Sequence, residues 1–334
     1  SNTTVNAASA DLKGVGFNHS NLTINNGNLN ITNNASSSLA NNNITVTNGS
    51  FSVLAKAGSL SLSGTNITAN NISVQVNRGG VLLNGAVVNS TVGGLDIMAG
   101  LGDINVSTSC ITAVNNVSLL AMAGGADLTN GTLNSSSGAV SVTAQGGDFL
   151  LGAGNISAQT DITLNASGKA DLNGGTLNST AGNISVSAVS TTSADGISLS
   201  DNGSVSAVNG TVTLQGSSAT GAGVKVHNAT LNASSLAVNG SSQSGNGFSL
   251  TNVTLGSSLS DLTNVSLSSA GSGAGATNIL DSSVVNNSNR DILMNMTIGG
   301  MTTVDMGGTA IYENGTQAWV KDYGNASAPN NGWI

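Results

Sequence analysis

Asp127-Leu-Thr-Asn-Gly-Thr-Leu-Asn-Ser-Ser-Ser-Gly-Ala-Val-Ser-Val-Thr-Ala144 returns without a gap as the stretch from Asp171 to Ala188. The shift is 44 residues, and 11 of the 18 positions are identical. A third copy runs from Leu83 to Ala99, with Val88, Asn89, Ser90, Gly93, Leu95 and Ile97 in the phase of Leu133, Asn134, Ser135, Gly138, Val140 and Val142. Downstream a second motif takes over in Gly196-Ile-Ser-Leu, Gly223-Val-Lys-Val and Gly247-Phe-Ser-Leu, spaced 27 and 24 residues apart. Self-similarity at this period is the mark of a repeat architecture in which each unit buries its apolar face on its neighbours.

Within the copies, apolar and polar residues alternate, as in Ile72-Ser-Val74-Gln-Val76, Val140-Ser-Val142 and Ile184-Ser-Val186. A period of two built from β-branched residues is the signature of a strand with one buried face. Asn, Gly and Ser, which tolerate turn and left-handed backbone, bound each piece. No stretch carries a helix-period stripe of useful length. The repeat also lacks the frame of a leucine-rich repeat and the spacing of the calcium-binding nonapeptide. These features predict an all-β fold, a right-handed parallel β-helix of roughly 15 coils, the hand following the usual crossover rule. At about 4.8 Å per coil the expected rod is about 70 Å long.

Composition agrees with stacked coils. A proline would delete a ladder hydrogen bond, and the single one, Pro329, lies close to the C-terminal end of the sequence. Aromatic residues are only 2% of the chain, in keeping with a narrow bore that favours aliphatic columns, while Asn at successive turns is expected to form amide ladders. Seven Lys and Arg against 15 Asp and Glu argue against a nucleic-acid partner. No apolar run is long enough for membrane insertion as a helix. The opening SNTTVNAASA has neither a basic n-region nor an apolar h-region, so any signal peptide is expected outside this stretch.

The final stretch departs from the repeat. Both Tyr and both Trp lie within 312–333, and Ala310-Ile-Tyr-Glu-Asn-Gly-Thr-Gln-Ala-Trp-Val320 reads as a hairpin with a type I′ turn at Asn314-Gly315. The expected organisation is a β-helix over 1–305 and an aromatic hairpin or cap over 306–334. Trp319 and Tyr323 are candidate partner contacts, although rings that close a solenoid end satisfy the same pattern.

Units such as Asn183-Ile-Ser-Val, Ala170-Asp-Leu-Asn-Gly-Gly-Thr-Leu-Asn and Ser244-Gly-Asn-Gly-Phe-Ser-Leu resemble the rod of large bacterial adhesins of the filamentous-haemagglutinin type, exported by two-partner secretion. The resemblance covers residues 1 to about 300 and rests on repeat style. It implies a Gram-negative exoprotein, secreted or held at the cell surface, that passes an outer-membrane transporter and attaches to a host-cell receptor or glycan. The secretion domain of that family, with its Asn-Pro-Asn-Leu turn, has no counterpart here. One branch of the family, the high-molecular-weight adhesins, is glycosylated.

The chain holds 29 Asn-x-Ser/Thr sequons, among them Asn43, Asn66, Asn71, Asn105, Asn155, Asn183, Asn252 and Asn264, against about 12 for random placement. Modification is one reading. The other is geometric: in a strand the position two after a polar Asn is also outward and polar, and with Ser or Thr at about half of such positions about 23 arise.

Catalytic constellations are sparse. The 14 Asp and Glu313 are scattered, with Asp148, Asp161 and Asp171 nearest in sequence, and only Arg78 and Arg290 are available to clamp a sugar acid. His19 and His227 lack Cys partners for zinc, and no metal, cofactor or catalytic set is expected. Cys110 is expected to be an inert, buried thiol. An adhesin segment is the leading reading, with a polysaccharide-degrading β-helix enzyme or spike and a passive structural filament as alternatives.

Overall fold

The computed structural model describes residues 2–5, 9–14, 21–256 and 262–271, and beyond them the backbone of the strands at 277–280, 283–286, 293–298, 304–305, 310–313 and 316–320. Among these residues every regular element is a β-strand, and the chain is a parallel β-solenoid of the right-handed β-helix class. It divides into two compact units, one of Ser1–Gln159 with Thr163–Ala166, the other of Thr160–Ile162 with Ser167–Ile334.

In the N-terminal unit three stacks of parallel strands form three faces. The first face stacks Asn43–Thr47, Asn66–Ala69, Val87–Ser90, Cys110–Ala113, Thr132–Ser135 and Asn155–Ala158, each in register with the next. The second stacks longer strands, including Asn71–Val76, Leu95–Ala99, Val117–Ala121 and Val140–Ala144. The third is made of two-residue strands such as Ile104–Asn105, Ala126–Asp127 and Phe149–Leu150. Val88 lies opposite Ile111 and Ile111 opposite Leu133, so the sequence spacing near 44 is two coils.

The alternation read from the sequence becomes a core column. Ile44, Ile67, Val88, Ile111, Leu133 and Ile156 stack in register, each no more than 2% exposed. Each such side chain contributes about 1.5–3 kcal/mol by leaving water. The bore also admits rings: Phe51, Phe149 and Phe248 are all at 0% exposure. Phe149 stands opposite Ala126, a small residue that leaves room for it.

Corners are made by Asn and Gly. Asn26 and Asn48 take the left-handed backbone at φ 59° and 55°, a conformation short polar side chains tolerate. The Asn48 Nδ2 donates to the Asn26 Oδ1 at 2.8 Å across one coil, a single amide pair; on the next coils the Asn70 Oδ1 accepts instead from the Thr91 hydroxyl at 3.3 Å.

The C-terminal unit winds more loosely. Thr176 faces Ser204, 28 residues on, and Ser235 faces Asn264, 29 residues on. Its long strands Ser204–Ser218 and Val224–Ser242 each run through a corner without a break, and the register between them slips between Ala207 and Thr211. Among the described residues the solenoid has about 10 turns, where the sequence led to roughly 15 for the chain. The larger number assumed the short coil throughout, and the longer coils of the C-terminal unit account for part of the difference.

The hairpin read from the sequence forms: Ala310–Glu313 and Thr316–Val320 pair antiparallel, with Ile311 opposite Trp319. The side chain of Trp319, the Asn314-Gly315 turn and Tyr323 lie outside the described residues.

Candidate functional site

The candidate site is a surface built rung by rung. On the first face of the N-terminal unit an Asn that opens a strand points outward, the next residue enters the core, and the one after points outward again. Asn43-Ile44-Thr45 and Asn66-Ile67-Thr68 do this on consecutive coils, with Asn43 opposite Asn66 and Thr45 opposite Thr68. The sequon is therefore the outward half of a strand. In the second column Thr23, Thr45, Thr68, Asn89, Thr112 and Asn134 follow one another in register, and the Thr112 hydroxyl donates to the Asn89 Oδ1 at 2.9 Å.

The eight singled-out asparagines separate by what their amides do. Asn43, Asn66 and Asn155 are exposed, and among the described residues no hydrogen-bond partner engages their side chains. Asn71, which opens a second-face strand, lies 3.5 Å from the Ser50 hydroxyl through its Nδ2. Asn183 is exposed but structural: its Oδ1 accepts the Thr211 N–H at 2.8 Å, one coil on. The Asn252 Nδ2 donates to the Asn228 Oδ1 at 2.5 Å. Asn105 is half-buried, with Nδ2 3.3 Å from an Asp127 carboxylate oxygen and Oδ1 accepting the Ser107 hydroxyl at 2.7 Å. Asn264 is half-buried too, and its Oδ1 is enclosed with no partner among the described residues. Asn71-Ile-Ser, Asn155-Ile-Ser and Asn183-Ile-Ser are one tripeptide in three situations, so the triplet alone does not reveal which amide is free.

Two carboxylates serve coil corners. The Asp103 Oδ1 accepts the Gly125 N–H at 2.8 Å, and the Asp161 Oδ1 accepts the Asn183 N–H at 2.7 Å. Asp171 pairs with Lys169 at 3.3 Å. Among the described residues no group of three or more His, Cys, Asp or Glu comes together. Arg78 and His227 are exposed. In the C-terminal unit a shallow hollow of about 270 Å³ is lined by Asp195, Thr220, Lys225, Asn246 and Ser249. Lys225 stands 3.7 Å from Asp195 there and is 54% exposed, so solvent screens the pair and it contributes little.

Cys110 corrects the expectation from the sequence: it is exposed. It opens its strand, facing outward between Val87 and Thr132, while Ser109 and Ile111 on either side are buried.

Comparison with protein-family models, with curated proteins and with solved structures finds no match for the chain.

Proposed function

We propose that the chain is a segment of a secreted or surface-exposed bacterial adhesin of the filamentous-haemagglutinin type. In this reading it leaves a Gram-negative cell through an outer-membrane transporter, carries sugars on some of its sequon asparagines, and attaches to a receptor or glycan on host cells or surfaces. The observation that carries the reading is the outward array on the first face of the N-terminal unit: Asn21, Asn43 and Asn66 stack in register, and beside them Thr23, Thr45, Thr68, Asn89, Thr112 and Asn134 do the same. Contacts that are individually weak gain strength when many are made at once, and a solenoid multiplies them by adding coils. Asp103 and Asp161 are engaged by backbone N–H groups at corners, in keeping with a binding role for the surface.

The test is attachment of the folded chain to host cells and to a glycan array, with the heat-unfolded chain as control. Saturable attachment lost on unfolding supports the proposal. Turnover of a polysaccharide by the chain, with no attachment, overturns it in favour of a β-helix enzyme.

A further inference from the structure

The geometry points to a second role for the first face of the N-terminal unit: in the unmodified chain it is a surface for self-association, on which a second copy of this chain packs the same face, and sugars on Asn43, Asn66 and Asn155 would close it.

Three observations lead there. The first is charge. The second face carries Asp11, Lys13 and Asp96, the corner after it Lys56, Arg78, Asp103 and Asp148, and the third face Asp127. Among the described residues of this unit, the first face has no charged side chain at all. In a chain of net charge -8 this is where two copies repel each other least. The second is the apolar centre of the face. The column of strand-opening residues from Asn21 to Asn155 is interrupted midway by Val87, 47% exposed, and directly opposite it the exposed Cys110. Val87 and Cys110 make only a small apolar spot, with Val87 less exposed than Val92 at 59% and Leu101 at 64% on the corners, so the spot adds to the contact without driving it.

The third is period. An exposed Asn or Thr gains little by exchanging a water for another hydroxyl or amide, so only a partner that repeats with the rungs adds such contacts up. A second copy repeats at the same spacing, about 4.8 Å, along the whole face, and interdigitated Asn and Thr columns are the packing such sheets use. With Asn2–Val5, which pairs with Asn21–Asn25, eight strands of four or five residues cover roughly 500 Å² per copy, or about 1,000 Å² in the pair, which places the contact among weak, reversible interfaces. A sugar on any of the three free Asn amides stands in the way of the second sheet.

The experiment is sedimentation velocity of the full, unglycosylated chain over a concentration series. A reversible monomer–dimer equilibrium is expected. Thr68→Lys with Thr112→Lys, two outward changes on the first face, should weaken it about tenfold or more by setting like charges against each other. Ser73→Lys with Ser118→Lys, outward on the second face, should leave it unchanged. Circular dichroism checks that both variants are folded. Cys110 gives a readout that needs no variant: its alkylation by iodoacetamide should slow as protein concentration rises. A chain that stays monomeric throughout, a dimer indifferent to the first-face lysines, or an alkylation rate independent of concentration overturns the proposal. So does a monomer that is retained instead by an insoluble neutral polysaccharide, which would assign the face to a glycan.

Discussion

The carboxylate of Asp161 reaches one coil along the solenoid to accept the backbone N–H of Asn183 at 2.7 Å, standing in for a ladder carbonyl at a corner. A Cβ on Gly182 would stand 2.4 Å from the Thr160 carbonyl carbon and 2.6 Å from this same oxygen, so the neighbouring backbone as well as the carboxylate requires glycine there. Asp161→Asn keeps the accepting oxygen and should be close to neutral, whereas Asp161→Ala should cost about 1 kcal/mol. Urea unfolding midpoints of the two variants distinguish them. Equal stability of both would show that water replaces the contact at no cost.

Glycines at other corners are needed for different reasons. At Gly223 a Cβ would stand 2.6 Å from the carbonyl oxygens of Gly247 and Ser241, which belong to backbone that cannot swing aside. Gly223→Ala should cost about 1–3 kcal/mol, the range for overpacking, or stop the C-terminal unit folding. Gly85 has nothing within 4 Å but sits at φ +67°, so Gly85→Ala should cost about 1 kcal/mol through backbone alone. Thermal melts of the two variants should rank in that order.

Core columns give the largest single effects. Leu133 is stacked between Ile111 and Ile156 and is 1% exposed. Leu133→Ala should cost about 2–5 kcal/mol, while Leu133→Ile, which conserves volume, should cost under about 1.5 kcal/mol. A Leu133→Ala variant as stable as the parent would mean that the column is not continuous through this coil.

Glycan occupancy should follow the amides and not the triplets. Glycopeptide mass spectrometry of natively exported material should find Asn43, Asn66 and Asn155 occupied well above Asn105 and Asn264. Full occupancy at Asn264 with Asn155 empty would contradict the ranking.

Much of this fold can be read from a strict period of two broken at regular intervals by Asn and Gly. Ile111 and Ala113 set the phase of their strand, and a one-residue step moves every side chain to the other face. That phase already sends Cys110 outward; the expectation of a buried thiol followed residue type where periodicity was the stronger signal. The looser winding of the C-terminal unit is harder to see, because the lengthened corners use the same Ser, Gly and Asn as the short ones. Which amides are free depends on the neighbouring coil, about 22 residues away in the sequence, and no local triplet encodes it.

The interchangeability of rungs has a genetic consequence. Val88 and Ile111 occupy equivalent places on adjacent coils, so excising residues 88–110 would join Val87 to Ile111 without altering inside, outside or pairing. Recombination between near-identical stretches of the gene would then lengthen or shorten the molecule in whole coils, and variants of different reach would arise without passing through a misfolded ancestor.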